Sequence, residues 1–429
     1  MKFNYLLFIL IININVVFAG ILRDSEIEET IEQIVKPLKA AAKLKDLKIY
    51  IYDDLNPNAF TAGSNEIFIG SGLIINFPDP DVLRGVVAHE IGHILGWHIS
   101  RRAEVIDNYN KAGIGGMILG LATALSGEVS PALAIMMSGM HFSERSILAY
   151  SRAFEISADQ TALRLLEQSG HSAIGLMNFF KESARFSSGY YINTYDQTHP
   201  TDNERLSIIG NFIKESKFSN SQNTKELTDK YFKCAAKLAA YTLEIDQITN
   251  NKFRNVTNEV SQYIDAIKYF RLGNFVESLT QVNNLITQHP NDPFFHELRA
   301  QIYFESGDEK ALAEYELVRK MRPYDPLIRL GLAVVGMSGT EDLKILDKYH
   351  KDLLFVLDKE KDNLLALYYN AIYYDKANLK GKSYLNTAII ALYTGKIEEA
   401  KNMARSAMKI LPEKSADWFK AGDILAATE

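Results

Sequence analysis

The 429-residue sequence holds a single cysteine, Cys234, which excludes any disulfide within the chain. Its folded parts must be held by burial alone, and Cys234 itself reads as a small buried side chain. No block of Lys and Arg and no basic-aromatic stripe interrupts a formal net charge of −6, which argues against nucleic acid as a partner. No cysteine lies near residue 20, so the lipid of a lipoprotein signal would have no attachment point there. The apolar stretch from Tyr5 to Ala19 is interrupted by Asn13 and Asn15 and falls short of the ~20 residues that span a bilayer.

What is present at that end is Lys2, an apolar run from Leu6 to Ile12, and Val17 and Ala19 at the spacing of a signal-peptidase site. This predicts a cleavable export signal over 1–19 and an exported, soluble mature chain, with an uncleaved anchor helix as the alternative. Hydrophobic residues make up 47% and charged residues 23%, an ordinary globular balance. The length exceeds the ~250–300 residues at which single cores stop growing, so two domains are expected.

Ile27, Ile31, Ile34, Val35 and Leu38 recur at helical spacing, predicting an amphipathic helix broken near Pro37. Leu47 to Tyr52, Ala59 to Thr61 and Glu66 to Ile69 read as short strands of a small β-meander with an exposed edge. After Pro78-Asp79-Pro80-Asp81, which can cap and start a helix, Val82 to Arg102 contains no proline and predicts a long helix. Between Ala112 and Met140 Glu128 is the only charged residue; the stretch reads as a glycine-packed helical hairpin, with a mobile lid or a membrane-contacting loop as the alternative. Ser143 to Leu166 reads as helical, and the polar stretch 216–224 reads as a linker, placing the domain boundary near residue 225.

Beyond it, Gly273 precedes Pro290 by 17 residues, Gly307 precedes Pro323 by 16, and Gly395 precedes Pro412 by 17, while Gly273 and Gly307 stand 34 apart. That period resembles tetratricopeptide repeats, helix pairs that bury their apolar faces only by stacking, with Tyr269, Leu272 and Gly273 placed in a first helix. A plain helical bundle is the alternative reading.

The chemistry lies on the predicted helix, where His89-Glu90-Ile91-Gly92-His93 has the His-Glu-x-x-His form. Residues four apart on a helix differ by only ~40° in direction, so both imidazoles reach one ion and Glu90 stands near enough to polarise a water. A catalytic zinc site needs a third protein ligand. Glu155, within Ser151 to Asp159, supplies a hard anionic oxygen, and Asp159 one turn on could accept a hydrogen bond from a ligand imidazole; taken alone the two acids would read as a solvated helix face, and the preceding His-Glu-x-x-His motif turns the reading to a ligand and its support. The implied chemistry is zinc-assisted hydrolysis, one Zn2+ per chain, with Glu90 as general base. His98, five residues past His93, is rotated by ~140° on a continuous helix and reads as a packing residue or one standing behind the ligands. His141 and His171 have no partner spacing, and His289, His296 and His350 lie in the repeats; none of the five is assigned a role.

The pair of motifs, His-Glu-x-x-His and, some sixty residues later, Ser-Arg-x-x-Glu-x-x-Ala-Asp, resembles the HtpX-like and CAAX-prenyl-protease-like zinc metallopeptidases. With an export signal and C-terminal repeats, the chain is similar to the periplasmic β-barrel assembly-enhancing branch of that family. The resemblance implies an α+β, mostly α fold: a zincin-type metallopeptidase domain over 20–225, then an all-α tetratricopeptide solenoid over 226–429. It implies that His199, before Pro200, acts as a regulatory fourth metal ligand or an oxyanion stabiliser, with Arg205 its structural neighbour, and that Asp159 belongs with Glu90 and His199 to the catalytic group. It places Asn58, Ala59 and Phe60 at a substrate-binding edge. Trp97 departs from the family pattern, which has arginine there. The implied setting is the periplasm of a Gram-negative bacterium. Substrates would be unfolded or misassembled outer-membrane proteins, and the barrel-assembly machinery would be met through the repeats. Peripheral membrane contact through 112–140 and a mainly chaperone or adaptor role are the further expectations.

Overall fold

The computed structural model describes residues 20–62, 65–98, 152–186, 199, 203–249, 252–253 and 256–428. The expected export signal and the charge-poor stretch 112–140 lie outside the described residues. Among the described residues no helix is long and apolar enough to cross a membrane. The chain divides into two compact units, Gly20–Lys268 and Tyr269–Glu429.

The first unit opens with strand β1 (Ile21–Leu22) and helix α1 (Ser25–Ala42), whose N-terminus is capped by the Asp24 carboxylate accepting from the Ile27 amide at 3.0 Å. The predicted stripe Ile27, Ile31, Ile34, Val35 and Leu38 is buried. The helix runs through Pro37 instead of breaking there. Proline removes only the amide that would bond the carbonyl of Gln33, and Gln33 is exposed, so water can take that place.

Strands β2 (Lys48–Tyr52), β3 (Ala59–Thr61) and β4 (Glu66–Gly70) fall where expected, but the sheet is mixed, in the order β1-β2-β4-β3. β4 inserts between its predecessors, parallel to β2 and antiparallel to β3, so the three do not form a simple meander. Register explains the choice, because it sets Tyr50 opposite Phe68 and Phe68 opposite Phe60. The three rings stack at 5.3 and 5.1 Å into a ladder across one face.

Short helix α2 (Ser71–Asn76) leads to α3 (Pro80–Leu95), started by Pro80 at its first position and by the Asp79 carboxylate accepting from the Asp81 amide. Every residue from Val82 to His93 is buried, which makes α3 the central helix of this unit. It stops at Leu95, well before Arg102, because Trp97 takes a left-handed backbone conformation (φ 53°). Helices α4 (Arg152–Ser169) and α5 (Ile174–Phe186) pack on α3. Gly92 permits the α3–α4 crossing: a Cβ there would stand 2.6 Å from the Ala158 carbonyl oxygen.

Helices α6 (Asn203–Glu215), α7 (Lys225–Thr242), α8 (Ile245–Thr249) and α9 (Asn258–Arg271) follow. The compact units part after Lys268, not near residue 225, because α7 is bound to α1. Lys237 Nζ lies 2.7 Å from Asp24 and 3.1 Å from Glu26, and Cys234 Sγ lies 3.2 Å from Thr30 Oγ1. The polar stretch before α7 is a bonded turn, its Ser219 carbonyl accepting from Ser172 Oγ at 2.9 Å.

The second unit is all-helical. Its helices are α10 (Phe275–Gln288), α11 (Pro293–Glu305), α12 (Lys310–Met321), α13 (Pro326–Met337), α14 (Leu343–Lys359), α15 (Leu364–Lys376), α16 (Lys380–Tyr393), α17 (Ile397–Ile410) and α18 (Ala416–Thr428). Successive helices pack on one another. Gly273, Gly307 and Gly395 sit in left-handed turns between helices (φ 72°, 73° and 70°), so Gly273 marks a turn, not the interior of a first helix. Asn378 (φ 59°) fills such a turn between α15 and α16, which hides the period from a search for glycine.

Candidate metal centre

Helix α3 carries His89, Glu90 and His93 within its buried length, and the crossing helix α4 brings Glu155 and Asp159 against them. His199 joins from the chain before α6, and Arg205 is on α6 itself. All seven side chains are at most 1% exposed. Four of them converge: one donor atom each from His89, His93, Glu155 and His199 lie within 4.8 Å of one another. The Nε2 atoms of His89 and His93 are 3.1 Å apart, and Glu155 oxygens stand 3.3 Å from His89 Nε2 and 3.4 Å from His93 Nε2. His199 enters through Nδ1, 3.4 Å from His89 Nε2 and 3.2 Å from Glu155.

These separations match a cation site. Ligands ~2.0–2.1 Å from a tetrahedral zinc are about 3.3–3.5 Å apart, and three imidazoles with one carboxylate are donors that suit zinc. The electrostatics agree. Burial would lower the His89 pKa, yet the Asp159 and Glu155 carboxylates carry it up to about 9, so this point draws positive charge. Burial opposes ionisation of Glu155, but His199 and His89 hold its carboxyl well below the usual range. Burial and the adjacent His89 and His199 keep His93 well below the ordinary imidazole value, in the neutral form that a ligand needs.

Behind this cluster, His89 Nδ1 lies 2.9 Å from Asp159 Oδ1. Arg205 donates to both Asp159 oxygens and places Nη1 3.1 Å from Glu155 Oε2 and 3.4 Å from the His199 carbonyl oxygen. The Phe180 ring of α5 supports the guanidinium at 4.6 Å. Glu90 is different: both carboxylate oxygens are buried, and among the described residues neither has a hydrogen-bond partner. Burial raises its pKa. His199 Nε2 stands 3.8 Å from Glu90 Oε1, so one imidazole faces the donor cluster with one nitrogen and Glu90 with the other.

The structure thus brings together every residue expected at the metal and behind it. Asn58, Ala59 and Phe60 are not in the donor cluster. They lie at β3, the last strand in the sheet order, which packs beside α3; Asn58 and Ala59 are buried and Phe60 belongs to the aromatic ladder. His98 reaches the site although a continuous helix would have turned it away: its Nδ1 is 3.0 Å from His93 Nδ1. The sequence signal was Gly96-Trp97, where the helix ends.

Comparison with known proteins agrees with this geometry. The profile described as peptidase family M48 matches residues 22–212. The chain is 22% identical over 319 residues to a beta-barrel assembly-enhancing protease of Yersinia pestis, covering 70% of this chain and 63% of that protein. It is 23% identical over 317 residues to the protein of the same name from Escherichia coli (strain K12), covering 69% and 62%. The chain therefore spans less than two thirds of the length of either. A mitochondrial metalloendopeptidase OMA1 of Schizosaccharomyces pombe is 24% identical over 205 residues, covering 47% of this chain and 56% of that protein. The buried His-Glu-x-x-His helix, the crossing helix with its two acids and the profile match agree: residues 22–212 are similar to peptidase family M48, with a zinc-type donor cluster at the centre of that stretch.

Proposed function

We propose that the chain is a zinc-dependent endopeptidase of the bacterial periplasm that hydrolyses misfolded or stalled outer-membrane β-barrel proteins. The observation that carries the peptidase reading is the Glu90 carboxylate, fully buried, without a hydrogen-bond partner among the described residues, and beside four converging metal donors. A buried carboxylate in that state is costly to fold around and suits a group that handles a proton.

His89, His93 and Glu155 would hold the zinc, with His199 as a regulatory fourth ligand. Zinc, when bound, supplies positive charge that polarises a peptide carbonyl and makes a nearby water a stronger acid. Glu90 takes the proton of the attacking water on a carboxylate oxygen and later delivers it to the leaving amine; its raised pKa suits both steps. Asp159 orients the His89 ring, and Arg205 fixes Asp159. An extended substrate would align along the outer side of β3, the last strand of the sheet among the described residues, at Asn58 to Phe60 by main-chain pairing.

The envelope assignment rests on the names of the relatives and on the predicted export signal. The helical unit, read as tetratricopeptide repeats, would recruit clients or the barrel-assembly machinery, with lipid contact through 112–140. A second reading, a chaperone or adaptor with a latched protease site, is favoured by one distance: His199 Nδ1 already lies 3.2 Å from Glu155, as a resting fourth ligand would.

Casein cleavage and zinc content of residues 20–429 test both readings. The protease reading expects one zinc per chain, loss of cleavage in Glu90→Gln with zinc retained, and faster cleavage in His199→Ala. Bound zinc with no cleavage in wild type or either variant would replace it with the chaperone reading.

A further inference from the structure

His93 meets the donor cluster through Nε2, 3.1 Å from His89 Nε2 and 3.4 Å from Glu155 Oε1. A neutral imidazole carries one proton, so a lone pair on Nε2 available to a cation requires that proton on Nδ1. Nδ1 of His93 is 3.0 Å from Nδ1 of His98. Only one proton fits between two nitrogens at that distance, so His98 must accept through Nδ1 and carry its own proton on Nε2. His89 is served by the Asp159 carboxylate at 2.9 Å; His93 is served by a second imidazole.

The surroundings of His98 are shaped for this contact. Residues five apart on an unbroken helix point ~140° away from each other. The left-handed Trp97 (φ 53°) breaks that geometry and returns the His98 ring to His93, with ring centroids 5.0 Å apart. Gly96 has an ordinary right-handed backbone (φ −76°, ψ −8°), so its conformation does not call for glycine. Space does, because a Cβ at 96 would stand 2.2 Å from His98 Nε2. Phe154, the neighbour of Glu155 on α4, stacks on the His98 ring at 4.7 Å and 16°. His98 is 2% exposed.

We propose that His98 is a positioning residue that fixes the tautomer and direction of His93, and through it the metal affinity of the site. The inference rests on the zinc reading above. Partners behind a ligand imidazole are typically worth about 10–100-fold in metal affinity.

Zinc affinity of residues 20–429, measured by chelator competition, is compared among wild type, His98→Phe, His98→Asn and Gly96→Ala. His98→Phe keeps a ring on Phe154 but removes the acceptor, and about 10–100-fold weaker zinc binding is expected. His98→Asn places an amide oxygen near the lost nitrogen and should recover most of that loss. Gly96→Ala, which drives a methyl into the imidazole, should fall with His98→Phe. Thermal unfolding of the metal-free proteins checks that each variant is folded, and the visible spectrum of the cobalt-substituted forms reports the altered ligand field. Wild-type affinity in His98→Phe, or equal losses in His98→Phe and His98→Asn, would overturn the positioning role and leave the zinc site standing. A wild type that binds no zinc would overturn the zinc reading itself.

Discussion

Arg205 clasps Asp159 with two parallel contacts, Nε to Oδ2 at 2.6 Å and Nη2 to Oδ1 at 2.9 Å, with both side chains fully buried. The same guanidinium reaches Glu155 at 3.1 Å, so one cation on α6 holds two acids of α4 in place. Two carboxylates four residues apart would otherwise repel each other in the interior.

Lysine cannot reproduce that fork, because its ammonium is a point charge. Arg205→Lys keeps the charge but loses the fork, and is expected to destabilise the metal-free first unit by about 1.5–3 kcal/mol, the usual worth of a hydrogen bond to a charged group. Zinc binding should weaken in parallel, since Asp159 orients His89. Urea unfolding with and without a chelator measures both, and a loss below about 0.5 kcal/mol would show that the clasp is dispensable.

Gly92 lies between the two histidines and against α4. Its replacement by alanine would set a methyl 2.6 Å from the Ala158 carbonyl oxygen, and backbone cannot swing aside. The helices must separate by a few tenths of an ångström or more, which carries Glu155 away from His89 and His93. Gly92→Ala should cost about 1–3 kcal/mol, the usual penalty of overpacking, and should bind substoichiometric zinc. Full zinc occupancy with unchanged unfolding would contradict the tight crossing.

Much of this centre could be read in the sequence, because its geometry is local: four-residue spacing on a helix places His89 and His93 together wherever that helix lies. Glu155 and Asp159 share a helix face for the same reason, but their meeting with His89 and His93 depends on the α3–α4 crossing and was legible only through the preceding motif and the family resemblance. The readings that failed depended on surroundings that periodicity and composition do not report. Pro37 did not break α1, because its missing hydrogen bond falls beside an exposed residue. The serines near 219 resembled a linker, yet their polar groups are satisfied within the first unit. The role of Gly96 could not be read from the sequence, because its reason is the imidazole two residues on.

Glu26 makes a pH-dependent prediction. It is 1% exposed and meets Lys237 at 3.1 Å, Lys233 at 3.2 Å and the Tyr263 hydroxyl at 2.9 Å. Burial pushes its pKa up, but Lys237 and Lys233 outweigh burial, and the net direction is down. A carboxylate whose folded pKa is depressed contributes stability above its unfolded value of 4.5, and that contribution is lost as pH falls through the folded value. Glu26→Gln should therefore lower stability at pH 7 by about 1.5–3 kcal/mol, since Lys237 keeps Asp24 at 2.7 Å but both lysines lose their buried carboxylate, with the deficit shrinking below pH 4.5. A deficit independent of pH would assign the loss to packing.

Glu305 behaves in the opposite sense. It ends helix α11, where the backbone carbonyls already disfavour negative charge, and its Oε1 is buried with no hydrogen-bond partner among the described residues. Burial pushes its pKa up to about 7. Below its unfolded value of 4.5 both states are protonated and no penalty exists; between 4.5 and about 7 the unfolded chain ionises while the fold keeps its proton, so stability falls as pH rises, and above about 7 the penalty is constant. Glu305→Gln should therefore leave stability unchanged near pH 4.5 and raise it at pH 8 by on the order of 1 kcal/mol, reduced from the full shift because solvent reaches part of the side chain. In a unit of this size that is a rise of about 2–4 °C in Tm. Thermal scans of wild type and variant at the two pH values decide it: equal gains at both would trace the effect to the helix end rather than to a displaced carboxyl titration.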